Sequence, residues 1–399
     1  MRKISFTIIT LILIYGCQTD IQEYYTESLS IEKKVFDDFQ EELLNESRRM
    51  LTLEPISVVH KPEVSTDMDS RNYISMACYW WPDPDSDDQL PYIRKDGHVN
   101  PETRSNKSDL PKMIEMAKSV ERLAISYDLS LDEAFAEKAI ELLDYWFLNE
   151  QTAMLPHLEY AQMVKGLNSG RSYGIIDTWW LVRVIESIDL LKNSNHWTTD
   201  LERDLKKWFA DYTDWLYHGD FGREEVRSKN NHGTWYDVQI VSFGYFSGNE
   251  HLAKRHLEEV SLHRIPRQIG YFGKQSLETR RPWPVHYSIY NLSGLIKLAE
   301  YGELLNVDIK NEKAFYSGNI ENATHYLIDM VRQSDLSGIR DSIDLTDTEV
   351  MYLDLLAGAW RLYGNTGFLT ELSRVYDDID NAELSVFKNR EIWENNERL

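Results

Sequence analysis

Hydrophobic residues recur every three or four positions along most of this 399-residue chain, from about residue 32 onward. The clearest stripe is Leu110, Met113, Ala117, Val120 and Ala124, which would occupy one face of a helix. Runs in which polar and hydrophobic residues alternate, as they do in a half-exposed strand, are scarce. The pattern therefore predicts an all-α protein.

Polar residues and glycines at the ends of these runs predict where helices begin and end. Ser130 with Glu133, and Thr199 with Glu202, have the spacing of a capping box, and each pair precedes an apolar periodic run. Glycines that would end helices are Gly219, Gly248 and Gly364. Further helices are predicted over residues 176–193, 200–217, 287–305, 312–332 and 347–363.

The predicted helices follow one another as hairpins of roughly 40 residues per pair, the pattern of paired helices stacked around an axis. They predict a single domain over residues 32–399, folded as an (α/α) toroid of six or seven hairpins. Residues 73–102 break the helical pattern with four prolines and a cluster of aromatic residues. This segment is predicted to be a long ordered loop that acts as a lid.

The N-terminus has the pattern of an export signal. Arg2 and Lys3 precede an apolar run over residues 4–15 that is too short to span a bilayer as a stable helix. The run "LIYGC" resembles a bacterial lipobox, which implies a signal peptide over residues 1–17, lipidation of Cys17 and a tether over residues 18–31. The expected location is outside the cytoplasm, on the outer membrane or facing the periplasm, with the lipid anchor as the only membrane contact. Cleavage without lipidation is the alternative.

The net charge of −23 would repel nucleic acid and acidic polysaccharides unless cations are gathered locally. Residues 261–287 are such a region, because they hold five Lys or Arg residues and one acid. No nucleic-acid partner is therefore expected, whereas an anionic polymer fits this strip. Cys17 and Cys78, the two cysteines, are too few for a disulfide framework or a Cys-based zinc site. With no HExxH, P-loop or GxGxxG run, neither metal nor cofactor is predicted.

Four polar and aromatic segments interrupt the helices, and in a toroid the ends of the inner helices face one cavity. These segments cover residues 73–102, 156–177 ("PHLEYAQMVKGLNSGRSYGIID"), 229–237 ("KNNHGTWYD") and 273–292 ("GKQSLETRRPWPVHYSIYNL"). The third segment alone is also compatible with an ordinary helix cap and a core histidine. Together, the four segments predict a functional site.

The residue types in these segments suit proton abstraction next to a carboxylate. Removal of the C5 proton of a uronic acid requires donors that stabilise the charge developing on the adjacent carboxylate. Asn231, His232 and Arg281 are such donors, and Arg281 would hold the carboxylate through two hydrogen bonds. Tyr287 would act as general base and then as general acid.

A tyrosine is a poor base at its ordinary pKa, so nearby positive charge is expected to lower the pKa of Tyr287. Arg280, Arg281 and His286 lie within seven residues of it along the chain. Their positions suit this role.

The runs "YWWPDPDSDDQLPYIRKDGHVNPE", "PHLEYAQMVKGLNSGRSYGIIDT", "NNHGTWYDVQ" and "QSLETRRPWPVHYSIYNL" resemble, in order, motif blocks of the alginate lyase superfamily. The resemblance covers most of residues 70–300. It implies an (α/α) toroid in which Asn231 and His232 neutralise the substrate carboxylate, Arg281 assists them, and Tyr287 is base and acid. The fourth block departs from the family pattern, so Arg280 competes with Arg281 for the arginine role.

Further residues of the four segments are candidates for sugar binding, with structural hydrogen bonding or anchoring of the loop as the alternative. These candidates are Arg280, His286, Tyr160, His157, Gln162, Arg171, Asn168, Trp80, Trp81, Tyr236 and Lys229.

The sequence therefore predicts a polysaccharide lyase that cleaves a polyuronate by β-elimination, with mannuronate-rich alginate as substrate and glucuronan as the alternative. A second hypothesis is an (α/α)-toroid glycoside hydrolase, which needs two carboxylates, with Asp177, Asp237 and Glu278 as candidates. A third is a non-catalytic surface lipoprotein that captures glycans.

Overall fold

The computed structural model describes residues 40–62, 68–334 and 347–375. The predicted signal peptide, Cys17 and the tether lie outside the described residues. Helices dominate the described part, which confirms the all-α class, and none of these helices is long and apolar enough to cross a membrane. The helices are α1 (residues 40–50), α2 (Leu110–Ser130), α3 (Glu133–Phe147), α4 (Trp180–Leu191), α5 (Thr199–His218), α6 (Asp220–Glu225), α7 (Asn231–Phe246), α8 (Glu250–Glu259), α9 (Ile265–Gln268), α10 (Pro284–Leu305), α11 (Ile320–Ser334), α12 (Thr348–Tyr363) and α13 (Thr366–Val375).

The helices form an inner and an outer row. Helices α2, α4, α7, α10 and α12 contact one another in that order, and α3, α5, α8, α11 and α13 pack against them from outside. Burial follows this division: nearly all residues of α7 and α10 are buried, whereas α5 and α8 bury one side only. A helix that is apolar on all sides has to lie inside the protein, which explains the position of α7 and α10.

The pairing of α7 with α10 fixes the position of both helix starts. Trp235 in α7 donates through its indole nitrogen to the carbonyl of Tyr290 in α10 at 3.0 Å, and the two rings stack with centroids 5.1 Å apart. Asn231 lies one turn before Trp235, and Tyr287 lies almost one turn before Tyr290. The first turns of α7 and α10 are therefore neighbours.

The predicted lid segment contains short strands as well as loops. Strand β1 (Ile74–Met76) pairs in parallel with β4 (Tyr160–Met163), and β2 (Trp80–Trp81) pairs antiparallel with β3 (Ile93–Arg94). The loop after β3 is held against the start of α10, because the indole nitrogen of Trp283 donates to the carbonyl of Gly97 at 3.1 Å. Two of the four polar segments are thus in direct contact.

Two predicted caps and one predicted helix start are wrong. Ser130 is the last residue of α2, and Asp132 caps α3 by accepting from the amide of Ala134. Thr198, not Thr199, caps α5 because it has the extended backbone of an N-cap and accepts from the Leu201 amide.

Helix α11 begins at Ile320, eight residues later than predicted. The preceding residues form turns and a backbone bridge between Gly270 and Ser317 instead. The predicted ends at Gly219 and Gly364 are confirmed, since these residues are the C-caps of α5 and α12.

We expect Gly233→Ala to lower the free energy of unfolding by about 3 kcal/mol. A Cβ atom at Gly233 would lie 2.1 Å from the carbonyl oxygen of Ser228 and 2.3 Å from Nη1 of Arg264. Arg264 cannot move aside freely, because it is bound to the buried Asp237. The matched control is Gly244→Ala in the same helix, where the nearest atoms are 3.7 Å away. Urea unfolding should show a neutral or slightly stabilising change there; an equal loss in both variants would contradict the clash.

Candidate active site

The first turns of α7 and α10 carry three of the four predicted catalytic residues. Asn231 and His232 open α7, and Tyr287 lies in the first turn of α10. Asn230 occupies the N-cap position of α7 without a side-chain cap bond, so the asparagines of this motif do not serve as an ordinary helix cap. Both helices direct the positive end of their dipole toward this region, which favours a bound anion.

Asn231 is held by a buried carboxylate. Its backbone amide donates to Oε1 of Glu278 at 2.8 Å, and its side-chain Nδ2 donates to Oε2 of the same residue at 2.7 Å. Burial raises the pKa of Glu278, while the two bonds from Asn231 and the charges of Arg281 and His232 act in the opposite direction. Glu278 therefore fixes both the backbone and the side chain of Asn231 at the start of α7.

His232 is oriented in the same way by a second carboxylate. Its Nδ1 lies 2.6 Å from Oε1 of Glu225, a buried residue of α6. Its ring lies at 71° to the ring of Tyr173, with centroids 4.8 Å apart. With Nδ1 engaged by Glu225, the Nε2 atom is the one that remains to meet a ligand.

Arg281 contacts the hydroxyl of Tyr287 directly. Its Nη2 donates to that hydroxyl at 2.8 Å, and its guanidinium lies 3.9 Å from the centre of the tyrosine ring. The same Nη2 also donates to Asp96 of the lid at 3.0 Å, and Nε donates to that carboxylate at 3.3 Å. Arg280, the competing arginine, is exposed to solvent. The geometry thus favours Arg281 for the arginine role.

Tyr287 is buried, and its hydroxyl shares a hydrogen bond with that of Tyr79. Burial raises the pKa of Tyr287 to about 12, against the opposing effects of Arg281 and of the bond with Tyr79. The expectation that this pKa would be lowered is therefore wrong for the free protein, because desolvation outweighs the single guanidinium. His286 adds no charge there, since burial, followed by Arg281, lowers its pKa to about 4.

Arg171 connects the lid to the side of the site that holds His232. Its guanidinium lies 5.0 Å from the ring centre of Tyr173 and 5.9 Å from that of Trp80. Gln162 fixes it by accepting from Nη2 at 2.9 Å, and Gln162 in turn donates to Asp177 at 2.8 Å. Trp80 from the first polar segment is thus brought together with Gln162 and Arg171 from the second.

Three other predicted binding residues form hydrogen bonds within the protein. Tyr236 is buried and donates to the carbonyl of Leu216 at 3.0 Å, which corrects its assignment to the cleft. His286 is buried as well, with Nδ1 2.7 Å from the hydroxyl of Thr348. Asn168 accepts from the Val164 amide within a turn.

The remaining candidates lie at the surface or in partly buried positions. Trp81 is half-buried and donates to the carbonyl of His98. His157 is half-buried beside Trp215, with ring centroids 6.4 Å apart. Tyr160 is half-buried on β4, and Lys229 is exposed.

The three carboxylates proposed for a hydrolase are all buried and engaged. Asp177 accepts from Tyr73, Ser75 and Gln162. Asp237 accepts from Arg264 through both oxygens and lies 2.9 Å from Nε2 of His256. Arg264 is therefore not a free cation of the basic strip. With Glu278 bound to Asn231, none of these carboxylates is free to flank a sugar bond.

The sequence did not predict four residues that contact Tyr287, Arg281 or His232. They are Tyr79, Asp96, Tyr173 and Glu225. Tyr79 and Asp96 belong to the lid segment and Tyr173 to the second polar segment, where other residues were chosen as candidates. Glu225 lies seven residues before His232 in a separate short helix, with no local signal that pairs it with the histidine.

Comparisons with known proteins identify the family of the chain. A family model described as alginate lyase matches residues 57–336. The crystal structure of an alginate lyase from Bacteroides ovatus has a TM-score of 0.77 and 32% identity, over 87% of this chain and 92% of that chain. No curated protein matches the chain.

Two structures of alginate lyase A1-III from Sphingomonas species A1 are more distant. The first has a TM-score of 0.50 and 16% identity, over 82% of this chain and 88% of that chain. A variant of it complexed with a tetrasaccharide has a TM-score of 0.51 and 15% identity, over the same shares. At this identity they support the fold alone, and the predicted (α/α) toroid is confirmed.

The family match covers most of the described chain, and it includes the lid, both helix starts and the loop that carries Arg281. The hydrolase and the capture protein are thereby set aside. The chain belongs to the alginate lyase family, and it is a polysaccharide lyase.

Proposed function

We propose that this lyase cleaves mannuronate-rich alginate by β-elimination, with Tyr287 as general base and general acid. The observation that supports this assignment most directly is the hydrogen bond from Arg281 to the Tyr287 hydroxyl, next to the positive ends of α7 and α10. The site supplies donors to an anion and a proton acceptor, and these are what elimination next to a carboxylate requires.

In this mechanism Asn231, His232 and Arg281 hold the carboxylate at C5 of the sugar. Tyr287, as the phenolate, removes the C5 proton, the electrons of that C–H bond form the C4=C5 double bond, and the bond from C4 to the glycosidic oxygen breaks. The proton taken by Tyr287 then passes to the departing oxygen. The products are a new chain end and a C4=C5 unsaturated uronate, and the tyrosine is regenerated.

Absorbance of the conjugated double bond tests this function. The mature domain would be incubated with polymannuronate, polyguluronate and glucuronan. We expect the absorbance to rise on polymannuronate. Mannuronate and glucuronate share their configuration at C4 and C5, so a larger rise on glucuronan would move the substrate to that polymer. Release of reducing ends without absorbance would contradict elimination.

The two bonds from Asn231 to Glu278 predict that Glu278→Gln lowers kcat/KM by about tenfold to a hundredfold. A glutamine has one acceptor oxygen, so one Asn231 donor would lose its partner and the carboxamide would rotate. Initial rates and thermal unfolding would be measured together. Glu371→Gln is the control, because Glu371 is equally buried but binds Tyr352, Arg332 and Arg374 instead. Equal kinetic losses in both variants would show a general effect on stability.

We further propose that the protein is exported and anchored through a lipid on Cys17. Mass spectrometry of the membrane fraction should detect an acylated N-terminal Cys17 after expression in a bacterium with lipoprotein processing. A Cys17→Ser variant should leave the membrane fraction. Wild-type protein recovered wholly in the soluble fraction would contradict the anchor.

A further inference from the structure

Four exposed aromatic residues occur as two pairs on neighbouring surface turns. The exposed fractions are 62% for Tyr271, 80% for Phe272, 84% for Phe315 and 82% for Tyr316. Within each pair the rings are perpendicular, with centroids 5.0 Å and 4.6 Å apart. We name these four residues the aromatic platform. Exposed aromatic side chains on adjacent turns are unusual on a protein surface and indicate a binding surface.

The two turns are joined through their backbones. Gly270 and Ser317 form an antiparallel bridge, and the amide of Gly318 donates to the carbonyl of Gly270 at 3.0 Å. Tyr271 follows Gly270 and Tyr316 precedes Ser317, so their Cα atoms lie within about 13 Å of each other. One extended ligand can therefore contact both pairs.

Close backbone packing fixes the first turn. Gly273 has a φ of +89°, and a Cβ atom there would lie 2.1 Å from the carbonyl oxygen of Asn322 in α11. The aromatic side chains are thus presented by a turn that is seated on α11, and a ligand would not have to order the backbone first.

The charges around the platform differ from those of the whole chain. The segments 264–277 and 313–320 contain no acidic residue, although the net charge of the protein is −23. Each turn has an exposed lysine two residues from an aromatic residue, Lys274 after Phe272 and Lys313 before Phe315. The nearest acid along the chain is Glu312. The platform therefore suits a ligand with both apolar faces and negative charges.

The turn that carries Tyr271 and Phe272 is anchored to the helix of the candidate base. Gln275, at its end, donates to the carbonyl of Ser288 at 2.9 Å and accepts from Asn291 at 2.7 Å. Ser288 directly follows Tyr287. Gln275 lies four positions after Tyr271, so the two Cα atoms lie within about 14 Å. A long polymer that occupies the cleft can reach the platform.

We propose that the aromatic platform is an accessory binding site for the uronate polymer, outside the site of cleavage. This inference rests on the proposed function for the identity of the polymer. The faces of pyranose rings carry C–H groups that stack on aromatic rings, the hydroxyls of Tyr271 and Tyr316 suit sugar hydroxyls, and Lys274 and Lys313 suit the carboxylates. A polymer held there keeps its other bonds near the cleft at a raised effective concentration.

The test is the double variant Phe272→Ala/Phe315→Ala, which removes one exposed ring from each turn and leaves the core unchanged. We expect KM for polymannuronate to rise about tenfold, with kcat unchanged and with unchanged kinetics on a tetrasaccharide too short to reach the platform. The matched control, Leu53→Ala/Leu304→Ala, removes two exposed apolar side chains elsewhere and should leave KM unchanged.

Binding to a Tyr287→Phe background, measured by calorimetry, separates the two proposals. Lower polymer affinity of the platform variant supports the accessory site, even if polymannuronate is not cleaved and the proposed function fails. An unchanged KM and affinity would overturn the accessory site while the proposed function stands. A change confined to flotation with anionic lipid vesicles, or to the monomer–dimer equilibrium, would also overturn it in favour of a membrane or a second copy of the chain.

Discussion

Replacement of Tyr287 by Phe is expected to reduce kcat on polymannuronate by at least about 10⁴-fold, with little change in polymer binding. A single proton-transfer group contributes about 10²- to 10⁴-fold, and this tyrosine is assigned both the abstraction and the return of the proton. The phenylalanine keeps the ring that lies under the Arg281 guanidinium. Loss of activity with retained affinity would be measured by absorbance and calorimetry.

Tyr301→Phe is the matched control for this variant. Tyr301 is another buried tyrosine of α10, and its hydroxyl donates to Ser242 at 3.0 Å. Its removal should cost about 1 kcal/mol of stability and leave kcat unchanged. If Tyr287→Phe retained more than a few per cent of the wild-type rate, another residue would have to be the base.

The pKa of Tyr287 makes a separate prediction about pH. With burial raising this pKa to about 12, only a small fraction of the free enzyme carries the phenolate at neutral pH. As long as the pH is below this pKa, the phenolate fraction grows about tenfold for each unit by which the pH rises. We therefore expect kcat/KM to rise with pH by about this factor while the enzyme stays folded. A flat profile would show that the phenolate of the free enzyme is not the reactive form.

The residue types of the site follow from local sequence, whereas their supporting partners do not. Asn231 and His232 are adjacent, and Arg281 precedes Tyr287 by six residues, so two short motifs contain all four. Tyr79 is 208 residues from Tyr287 in the chain, and no local pattern pairs them. The helical pattern predicts a helix over residues 287–305, but the contact of its first turn with that of α7 depends on tertiary packing.

Charge was the least reliable guide to the environment of the site. The basic strip of residues 261–287 suggested a positive cleft, but Arg264 is neutralised by the buried Asp237, and Arg281 is paired with Asp96. Counts along a sequence ignore carboxylates that arrive from other segments. They also ignore desolvation, which decides the pKa of Tyr287.

Arg281→Lys is expected to lower kcat/KM by about a hundredfold to a thousandfold, although it preserves a positive charge. The arginine uses Nη2 and Nε toward Asp96 and Nη2 toward the Tyr287 hydroxyl, with its plane over the tyrosine ring. A lysine has one nitrogen on a flexible stem and cannot reproduce this fork, and loss of one donor that stabilises developing charge costs about 3 to 4 kcal/mol.

The neighbouring Arg280→Lys is the control, because it makes the same exchange at an exposed position and should leave kcat/KM within about twofold.

Asp96→Asn tests how the lid carboxylate acts through Arg281. Asp96 raises the pKa of Tyr287, so removing its charge should shift the rise of kcat/KM toward lower pH. Because Arg281 lowers the same pKa, its weaker contact in Arg281→Lys should shift that rise toward higher pH. Opposite pH shifts in Asp96→Asn and Arg281→Lys would show that both residues act on the pKa of Tyr287. Equal losses of kcat/KM in Arg280→Lys and Arg281→Lys would instead assign the arginine effect to net charge alone.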